Sequence, residues 1–301
     1  MKIKANGIAI EVEDSGAGAS GEQRPAVLLI MGLGMQLVAW PPQFVRALVD
    51  AGYRVIRHDN RDIGLSQHFD HLGVPNLVWT SLRHRLGLPI HNLPYSLQDM
   101  AADAVGVLDA LGIGAAHVVG VSMGGMIAQR VALGAPARVL SLTSIMSSSG
   151  ARGLPQARLA VQRVLLSKPA SAAVQDVLAH YVHLYQTIGS PGFPLTEEEM
   201  RARILFGYQR SFHPVGTMRQ MVAIVADDER AAALGGIRSP TLVLHGRADP
   251  LVPFACGEDT ARRIPGARLV GIDGMGHDLA PGVVERLLPH LQPFLQAAGA
   301  R

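Results

Sequence analysis

Short apolar runs alternate with amphipathic stretches along most of this chain, and this alternation constrains its fold more than any other feature. Such alternation is typical of a largely parallel sheet with helices on both faces. The first two segments, Lys2–Ala5 and Ile8–Glu13, predict a β-hairpin with its turn at Asn6-Gly7. The later runs are apolar throughout, as strands buried on both faces should be. They predict strands at 26–31, 53–59, 117–122, 139–146, 241–246 and 267–272.

Helices are predicted in the gaps between these strands, and several carry recognisable start or stop signals. Gly52 and Gly112 each follow a predicted helix, as C-cap glycines do. Ser96 and Asp99 have the spacing of a capping box, which predicts a helix start at this point. The predicted helices are Pro42–Ala51, 96–111, Met123–Leu133 and Pro281–Ala297.

Two stretches interrupt the alternation. Residues 72–95 form a Pro/Leu-rich insertion, and residues 150–235 look entirely helical. A helical segment between two sheet strands can cover the carboxyl edge, where open α/β sheets bind ligands, so we predict a helical cap at 150–235. Extra helical bulk away from any site is the alternative. The core is then formed by 1–149, which includes the insertion, and by 236–301.

Composition excludes several classes of protein. With 48% hydrophobic and 17% charged residues, the chain is too apolar to be disordered. No apolar run approaches the roughly 20 residues that span a bilayer, and the N-terminus resembles a strand more than a leader, so we expect a cytoplasmic protein without a membrane partner. The net charge is +3, but the basic residues are dispersed and aromatic residues make up only 5%. We therefore expect no nucleic-acid partner.

The single cysteine, Cys256, cannot form an internal disulfide, and the chain has no Cys/His cluster with metal-ligand spacing. We expect a buried bystander thiol at this position. The sequence thus predicts neither a metal nor a cofactor, and it leaves the oligomeric state open.

The motif that carries chemistry is Gly120-Val121-Ser122-Met123-Gly124, a G-x-S-x-G sequence between a predicted strand and a predicted helix. Such an abrupt turn strains the backbone of the serine and leaves no room for side chains on either flank, which glycine relieves. The turn would lift the hydroxyl to a helix N-terminus, where developing negative charge is stabilised. We predict Ser122 as a nucleophile. A tight Gly-rich turn with an incidental serine is the alternative.

A serine hydroxyl is a weak nucleophile until a base takes its proton. We predict His277 as this base, because it follows the last predicted strand and fits the chain order serine, acid, histidine. The acid should end a strand between the two, and Asp249 follows the 241–246 strand. Its carboxylate could accept Nδ1–H of the imidazole and stabilise the imidazolium. Asp273 and Asp278 are the alternative acids.

An oxyanion formed at this site needs two N–H donors. We predict the backbone amide of Met123, the residue after the nucleophile, as one of them. The other is predicted from the loop Met31-Gly32-Leu33-Gly34, whose glycines let the backbone approach a substrate carbonyl, with Leu33 as the donor. A Gly-rich turn after a buried strand is the alternative explanation of this loop.

These residues, together with the segment HDNRDIGLS at 58–66, resemble the α/β-hydrolase family and, within it, the aclacinomycin methylesterase-like branch. The resemblance covers nearly the whole chain and is strongest in LLIMGLGMQLVAWP, RVIRHDNRDIGLS, HVVGVSMGGMIAQ, PTLVLHGRADPLVP and GMGHD. Three features depart from it. Met31-Gly32 stands where members often have His-Gly, Asp62 stands where they usually have Gly, and the 72–95 segment is longer than in the methylesterase-like members. We expect the 58–66 segment to have a scaffolding role near the site.

Taken together, the motifs and the resemblance imply a serine hydrolase of the α/β-hydrolase fold that cleaves carboxylic esters through an acyl-enzyme. A C–C bond hydrolase, a lactonase or a perhydrolase would use the same three side chains. A non-catalytic ligand-binding protein on the same scaffold is the alternative from another class. The predicted cap is rich in aliphatic and aromatic side chains, which indicates a small apolar ester as substrate, although such side chains also form cap cores.

Overall fold

The strands were located in a computed structural model, which describes residues 1–16 and 24–300. Residues 17–23 and 301, which belong to the two predicted core segments, lie outside the described residues. Every predicted strand is confirmed to within two residues of its predicted ends. The strands are β1 (Lys2–Ala5), β2 (Ile8–Ser15), β3 (Ala26–Ile30), β4 (Arg54–His58), β5 (Ala116–Val121), β6 (Val139–Ile145), β7 (Thr241–Gly246) and β8 (Arg268–Ile272).

These strands form one sheet in the order β1-β2-β4-β3-β5-β6-β7-β8. β1 and β2 make the predicted antiparallel hairpin, and β2 also pairs antiparallel with β4. All the pairings among β4, β3, β5, β6, β7 and β8 are parallel. Because parallel strands end at the same edge, the loops after β3, β5, β7 and β8 come together at the carboxyl edge of the sheet.

The predicted helices are also confirmed. Gly52 and Gly112 both have the left-handed backbone of a C-cap glycine. Ser96 and Asp99 cap α3 reciprocally, each side chain accepting a hydrogen bond from the backbone N–H of the other. The helices are α1 (Pro42–Asp50), α2 (Leu77–Arg85), α3 (Leu97–Ala110), α4 (Met123–Gly134), α5 (Leu159–Leu166), α6 (Val174–Ile188), α7 (Glu197–Arg210), α8 (Pro214–Val225), α9 (Arg230–Ala233), α10 (Phe254–Arg263) and α11 (Pro281–Gly299).

Two hydrophobic layers enclose the sheet. Alternate residues of a strand point to opposite faces, so Leu28 of β3 packs in the layer that contains α3 and α4. Its neighbour Val27 packs in the layer that contains α1 and α11. All residues of β3, β5 and β7 are buried, as expected for strands covered by helices on both faces of the sheet. The α/β-hydrolase fold class predicted from the sequence is therefore confirmed.

The two stretches that interrupt the alternation form helical additions to this sheet. The 72–95 insertion contains α2, and helices α5 to α9 lie between β6 and β7. Helices α7 and α8 contact the loop after β3: Nε2 of Gln36 donates to the Gly207 carbonyl at 2.7 Å, and the Gly34 N–H donates to Gln220 at 2.9 Å. The helical segment thus reaches the carboxyl edge, while its status as a separate cap domain stays a prediction.

None of the helices in residues 1–16 and 24–300 has the length and apolar character required to cross a bilayer. Cys256 is buried, as expected. Burial raises the pKa of its thiol, which disfavours the reactive thiolate form.

Candidate active site

Ser122 lies at the abrupt turn between β5 and α4, as the motif predicts. Its φ of 55° and ψ of −121° place it in a region that side-chain-bearing residues rarely adopt, at a cost of about 1–3 kcal/mol. Two hydrogen bonds hold this conformation. The Ser122 N–H donates to the Ile145 carbonyl at 2.9 Å, and the Ser147 hydroxyl donates to the Ser122 carbonyl at 2.7 Å. Contacts with the end of β6 and with the residue two positions beyond it therefore stabilise the strained backbone of Ser122.

The glycines of the motif are required by close backbone contacts. A Cβ atom on Gly120 would overlap the carbonyl of Gly124, and one on Gly124 would overlap the carbonyl of Ile30 at the end of β3. The start of α4 therefore lies directly against both strands. This close approach aims the N-terminus of the helix at the carboxyl edge of the sheet.

Three of the predicted side chains form a continuous hydrogen-bonded series. Nε2 of His277 lies 3.0 Å from Oγ of Ser122, and Nδ1 of His277 lies 2.7 Å from Oδ2 of Asp249. Since a carboxylate can only accept, Nδ1 carries the proton and the unprotonated Nε2 faces the serine hydroxyl. The Asp249 side chain is completely buried and that of His277 is 8% exposed, so little water competes for these bonds.

The Asp249 carboxylate is fixed by the loop that follows β7. Its Oδ1 accepts N–H bonds from Leu251 at 2.9 Å and Val252 at 2.8 Å, which leaves Oδ2 for the imidazole. His245 lies 3.7 Å from the same carboxylate. Its Nε2 donates to the Val252 carbonyl at 2.8 Å, and burial lowers its pKa, so it stays neutral and bound to the backbone.

The two alternative acids are engaged elsewhere. Asp273 pairs with Arg247 at 3.1 Å and its side chain is 91% exposed. Asp278 accepts two hydrogen bonds from Ser190, from the backbone N–H and from the hydroxyl, each at 2.8 Å. Within the described residues, neither carboxylate is bonded to His277.

The loop that carries His277 is braced by the end of α6. The His277 N–H donates to the Ile188 carbonyl at 2.7 Å, and the Gly276 N–H donates to Oγ of Ser190 at 2.9 Å. The sequence analysis missed both bracing residues. No local pattern could have indicated them, because Ser190 and Gly276 are 86 positions apart.

The loop after β3 lies against Ser122, as expected for an oxyanion-binding loop. A Cβ atom on Gly32 would lie 3.2 Å from Cβ and 3.7 Å from Oγ of Ser122. In the described part of the chain, no backbone acceptor is found for the N–H of Leu33. Met123 is the first residue of α4, so its N–H belongs to the group that has no partner within a helix.

Two buried amides hold this loop in place. Nδ2 of Asn60 donates to the Met31 carbonyl at 2.9 Å, which gives the 58–66 segment a direct contact with the site. Gln220 of α8 accepts from the Gly34 N–H and donates to the Arg61 carbonyl, both at 2.9 Å. The loop is thus positioned jointly by the sheet edge and by α8. Gln220 was missed because nothing in its local sequence points to the loop.

Asp62 forms a buried ion pair with Arg219 of α8. The two side chains are fully buried and joined by two hydrogen bonds, at 2.7 and 2.8 Å. Burial alone would raise the pKa of Asp62, but hydrogen bonds from Arg219, the Phe69 amide and Tyr95, with the charge of Arg219, hold it below its usual value. Asp62 also keeps a glycine-like φ of 70°.

Among residues 1–16 and 24–300, one group of potential metal ligands lies close together, beside this ion pair. One ligand atom each from His68, Asp70 and His213 lies within 4.8 Å of the others. Nη2 of Arg219, however, lies 3.1 Å from Nε2 of His213 and 3.3 Å from Asp70. The two imidazole rings are stacked 3.9 Å apart and nearly parallel, so their lone pairs do not converge. A guanidinium already supplies the positive charge, and we assign no metal here.

Comparison with known proteins agrees with this architecture. A family model of the alpha/beta hydrolase fold matches residues 25–280. Rhodomycin D methylesterase DnrP of Streptomyces peucetius is 32% identical, over 90% of this chain and 91% of its own. A 2-hydroxy-6-oxononadienedioate/2-hydroxy-6-oxononatrienedioate hydrolase of Burkholderia vietnamiensis is 28% identical, over 92% of this chain and 88% of its own.

A solved structure shares the fold over almost its whole length. The meta-cleavage product hydrolase of Pseudomonas fluorescens IP01 has a TM-score of 0.76 and 22% identity, covering 99% of this chain and 98% of that one. The resemblance inferred from the motifs is thus confirmed over the greater part of the sequence. The chain belongs to the α/β-hydrolase fold family, in its aclacinomycin methylesterase-like branch.

Proposed function

We propose that this chain is a serine hydrolase that cleaves carboxylic esters through an acyl-enzyme intermediate. The observation that carries the proposal is the unbroken series of hydrogen bonds from Ser122 through His277 to Asp249. Oγ of Ser122 attacks the ester carbonyl carbon while Nε2 of His277 takes the hydroxyl proton. Asp249 keeps the imidazole in the required tautomer and stabilises the imidazolium that forms.

The negative charge that develops on the carbonyl oxygen would be held by the backbone amides of Leu33 and Met123. Met123 directly follows the serine, Leu33 directly follows Gly32, which lies against the serine, and the N-terminus of α4 adds its dipole. Removing one such donor costs on the order of 3 kcal/mol, or about a hundredfold in rate. The firm positioning of the loop by Asn60 and Gln220 supports this role.

The second half of the reaction reverses the proton path. The imidazolium of His277 gives its proton to the alcohol oxygen as the ester C–O bond breaks, and the alcohol leaves. Water then attacks the acyl carbonyl, giving one proton to His277, and the imidazolium returns that proton to Ser122 as the acid is released. The only reactants consumed are the ester and one water molecule.

An ester is favoured as substrate because the relative with 32% identity is a methylesterase. Hydrolysis of C–C bonds is the second candidate. The relative that hydrolyses 2-hydroxy-6-oxononadienedioate acts on a compound without an ester bond, so its reaction must break a carbon–carbon bond. Lactones and peracids would use the same three side chains. A panel of p-nitrophenyl esters, methyl esters, a lactone and a 2-hydroxy-6-oxodienoate separates these possibilities.

We further propose that the helical segment 150–235 caps the site and forms an apolar pocket for a small ester. Tyr185 of α6 supports this, because its hydroxyl lies 3.4 Å from the Met35 sulfur, two residues beyond Leu33. Burial raises the pKa of Tyr185 to about 12, so the ring stays uncharged. An apolar acyl or alcohol group would therefore meet aromatic and thioether surfaces beside the proposed oxyanion donors.

The test compares Ser122→Ala with Ser167→Ala, a control serine exposed on the surface. We expect Ser122→Ala to abolish hydrolysis of short p-nitrophenyl esters and labelling by a fluorophosphonate probe, with the unfolding midpoint little changed. Ser167→Ala should keep both activities. Wild-type turnover in Ser122→Ala would overturn the assignment of the nucleophile. A wild-type chain that neither labels nor hydrolyses any member of the panel would instead indicate a ligand-binding protein.

A further inference from the structure

The 72–95 insertion exposes an unusual number of large apolar side chains. Seven of the fourteen large apolar side chains that are exposed in residues 1–16 and 24–300 lie between Leu72 and Leu88. A monomeric protein rarely exposes so concentrated a set without a partner. We define the α2 surface as the six of them between 45% and 81% exposed: Val74, Val78, Trp79, Leu82, Leu86 and Leu88.

The geometry of α2 gathers these side chains on one side. Residues four apart lie above one another on a helix, so Val78, Leu82 and Leu86 form a single stripe with Trp79 beside it. Thr80, on the opposite side, is buried, and α2 packs against α8. The stripe therefore faces away from the molecule, and no part of the described chain covers it.

Positive charge surrounds the same surface. Residues 72–95 include Arg83 and Arg85 and contain no aspartate or glutamate. Within the described residues, neither arginine belongs to an ion pair of 4.0 Å or less. The Arg83 guanidinium lies 5.8 Å from the Trp79 ring centroid and donates to the Pro89 carbonyl at 2.7 Å. A basic group is thus held beside the aromatic ring with its charge unneutralised.

A second acid-free stretch adjoins the insertion. Residues 150–175 carry four basic residues and no acidic ones, and a Cβ on Gly87 would lie 3.6 Å from Nη1 of Arg152. Helix α5, within this stretch, exposes Leu159 by 70% and Leu166 by 60%. Arg152 is paired with Asp228 at 2.8 Å, whereas Arg158, Arg163 and Lys168 have no acidic partner within 4.0 Å in the described residues. Exposed aliphatic side chains and basic charge thus continue from α2 into this stretch.

We propose that the α2 surface docks on an anionic lipid surface. Apolar and tryptophan side chains enter the boundary between headgroups and acyl chains, and the arginines remain at the level of the anionic headgroups. A second copy of this chain is the less favourable occupant. A two-fold contact through this surface would place the Arg83 and Arg85 side chains of both copies together without acidic partners.

This proposal departs from the expectation that the chain has no membrane partner, which rested on the lack of an apolar run long enough to span a bilayer; docking on a lipid surface needs no such run. It also does not depend on the proposed hydrolysis, because no catalytic residue belongs to the α2 surface. Docking would place the lipid on the outer side of α2, whose inner side packs against α8, and Gln220 of α8 contacts the loop after β3. An ester held in a lipid layer would thus be presented close to the helical segment that adjoins the site.

The two tryptophans make the experiment direct. Trp40 is completely buried and Trp79 is 54% exposed, so a change in tryptophan emission on adding vesicles reports on Trp79. We expect a blue shift with vesicles of phosphatidylcholine that contain 30 mol% (about one lipid in three) phosphatidylglycerol. Brominated lipids should quench the shifted emission. Vesicles of phosphatidylcholine alone should bind much more weakly, and salt should weaken the binding.

Matched variants separate charge from apolar contact. Arg83→Gln with Arg85→Gln should weaken vesicle binding about 30-fold, whereas the control pair Arg238→Gln with Arg268→Gln, both exposed residues, should leave it unchanged. Leu82→Ser should weaken binding and Phe206→Ser, exposed on α7, should not. Ser122→Ala should bind vesicles as the wild type does, which makes docking distinguishable from hydrolysis.

Several results would overturn the proposal. The first is the absence of a blue shift with phosphatidylglycerol vesicles. The second is equal vesicle binding by the arginine pair variant and its control, provided that far-ultraviolet circular dichroism shows both to be folded. The third is a concentration-dependent dimer that Leu82→Ser abolishes while vesicles have no effect, since this result would assign the surface to a second copy of the chain.

Discussion

Replacing Arg219 by methionine should destabilise the fold strongly, because the substitution leaves the Asp62 carboxylate buried without its partner. Both side chains have no exposed surface, and two hydrogen bonds join them. Breaking a buried pair from one side typically costs about 3–5 kcal/mol. The lower part of that range is expected if the Phe69 amide continues to donate to Asp62.

The loss can be converted into a melting temperature from the size of the chain. An unfolding entropy of roughly 2.1 cal/mol/K per residue over 301 residues gives about 0.6 kcal/mol/K. A loss of 3–5 kcal/mol therefore lowers the melting temperature by about 5–8 °C. Urea unfolding of the same variant should show a lower midpoint with an unchanged slope.

The Asp62→Gly, Arg219→Met double variant shows whether the stability lost in Arg219→Met comes from the broken ion pair or from the loss of the Arg219 side chain itself. Removing both charges leaves no uncompensated ion, and glycine suits the φ of 70° at position 62. We expect the double variant to recover more than half of the stability that Arg219→Met loses. Asp62→Gly alone completes the comparison. If the stability losses of Asp62→Gly and Arg219→Met simply add in the double variant, or if Arg219→Met costs less than about 1 kcal/mol, the broken ion pair does not explain the destabilisation.

The pH dependence gives an independent check. The pKa of Asp62 is lower in the folded chain than the unfolded value of about 3.9. Its contribution to stability is therefore complete above about pH 4 and is lost as the pH falls toward the lower folded pKa. Below about pH 4, the unfolding free energy of the wild type should decrease more steeply than that of the double variant. Parallel curves in acid would contradict the assigned charge state.

Two further predictions concern the proposed catalytic groups. Asp249→Asn should reduce kcat for a p-nitrophenyl ester by about 10³–10⁴-fold with little change in KM. The control Asp273→Asn, at an exposed position, should change neither kcat nor KM. Equal rates in the two variants would show that Asp249 has no part in the mechanism. Gly32→Ala places a methyl group 3.2 Å from Cβ of Ser122, so steady-state kinetics should show kcat reduced at least tenfold, while thermal unfolding shows a shift of no more than a few degrees. An unfolded Gly32→Ala chain would show that the glycine serves the fold instead.

The sequence predicted the sheet and the hydrogen-bonded series well because both depend on local patterns. Apolar runs determine where strands lie, and the G-x-S-x-G turn at Ser122 follows from its own glycines. Chain order and strand ends were sufficient to select His277 and Asp249. The bracing residues could not be predicted from the sequence, because Ser190 and Gln220 act through contacts with loops that are far away along the chain. Such contacts depend on how separate elements pack, which periodicity does not specify.

Asp62 and the start of the 72–95 insertion are physically one feature, because Arg219 is bonded to both. The Arg219 guanidinium that pairs with Asp62 also donates to the Gly73 carbonyl at 2.7 Å and lies 3.3 Å from Asp70. These two residues flank the start of the 72–95 insertion. A chain with glycine at position 62 would leave this guanidinium without its principal acceptor, and a chain without the insertion would remove the carbonyl that completes its hydrogen bonding. The Asp62–Arg219 pair therefore supplies a buried base for a segment whose outer side is apolar and exposed.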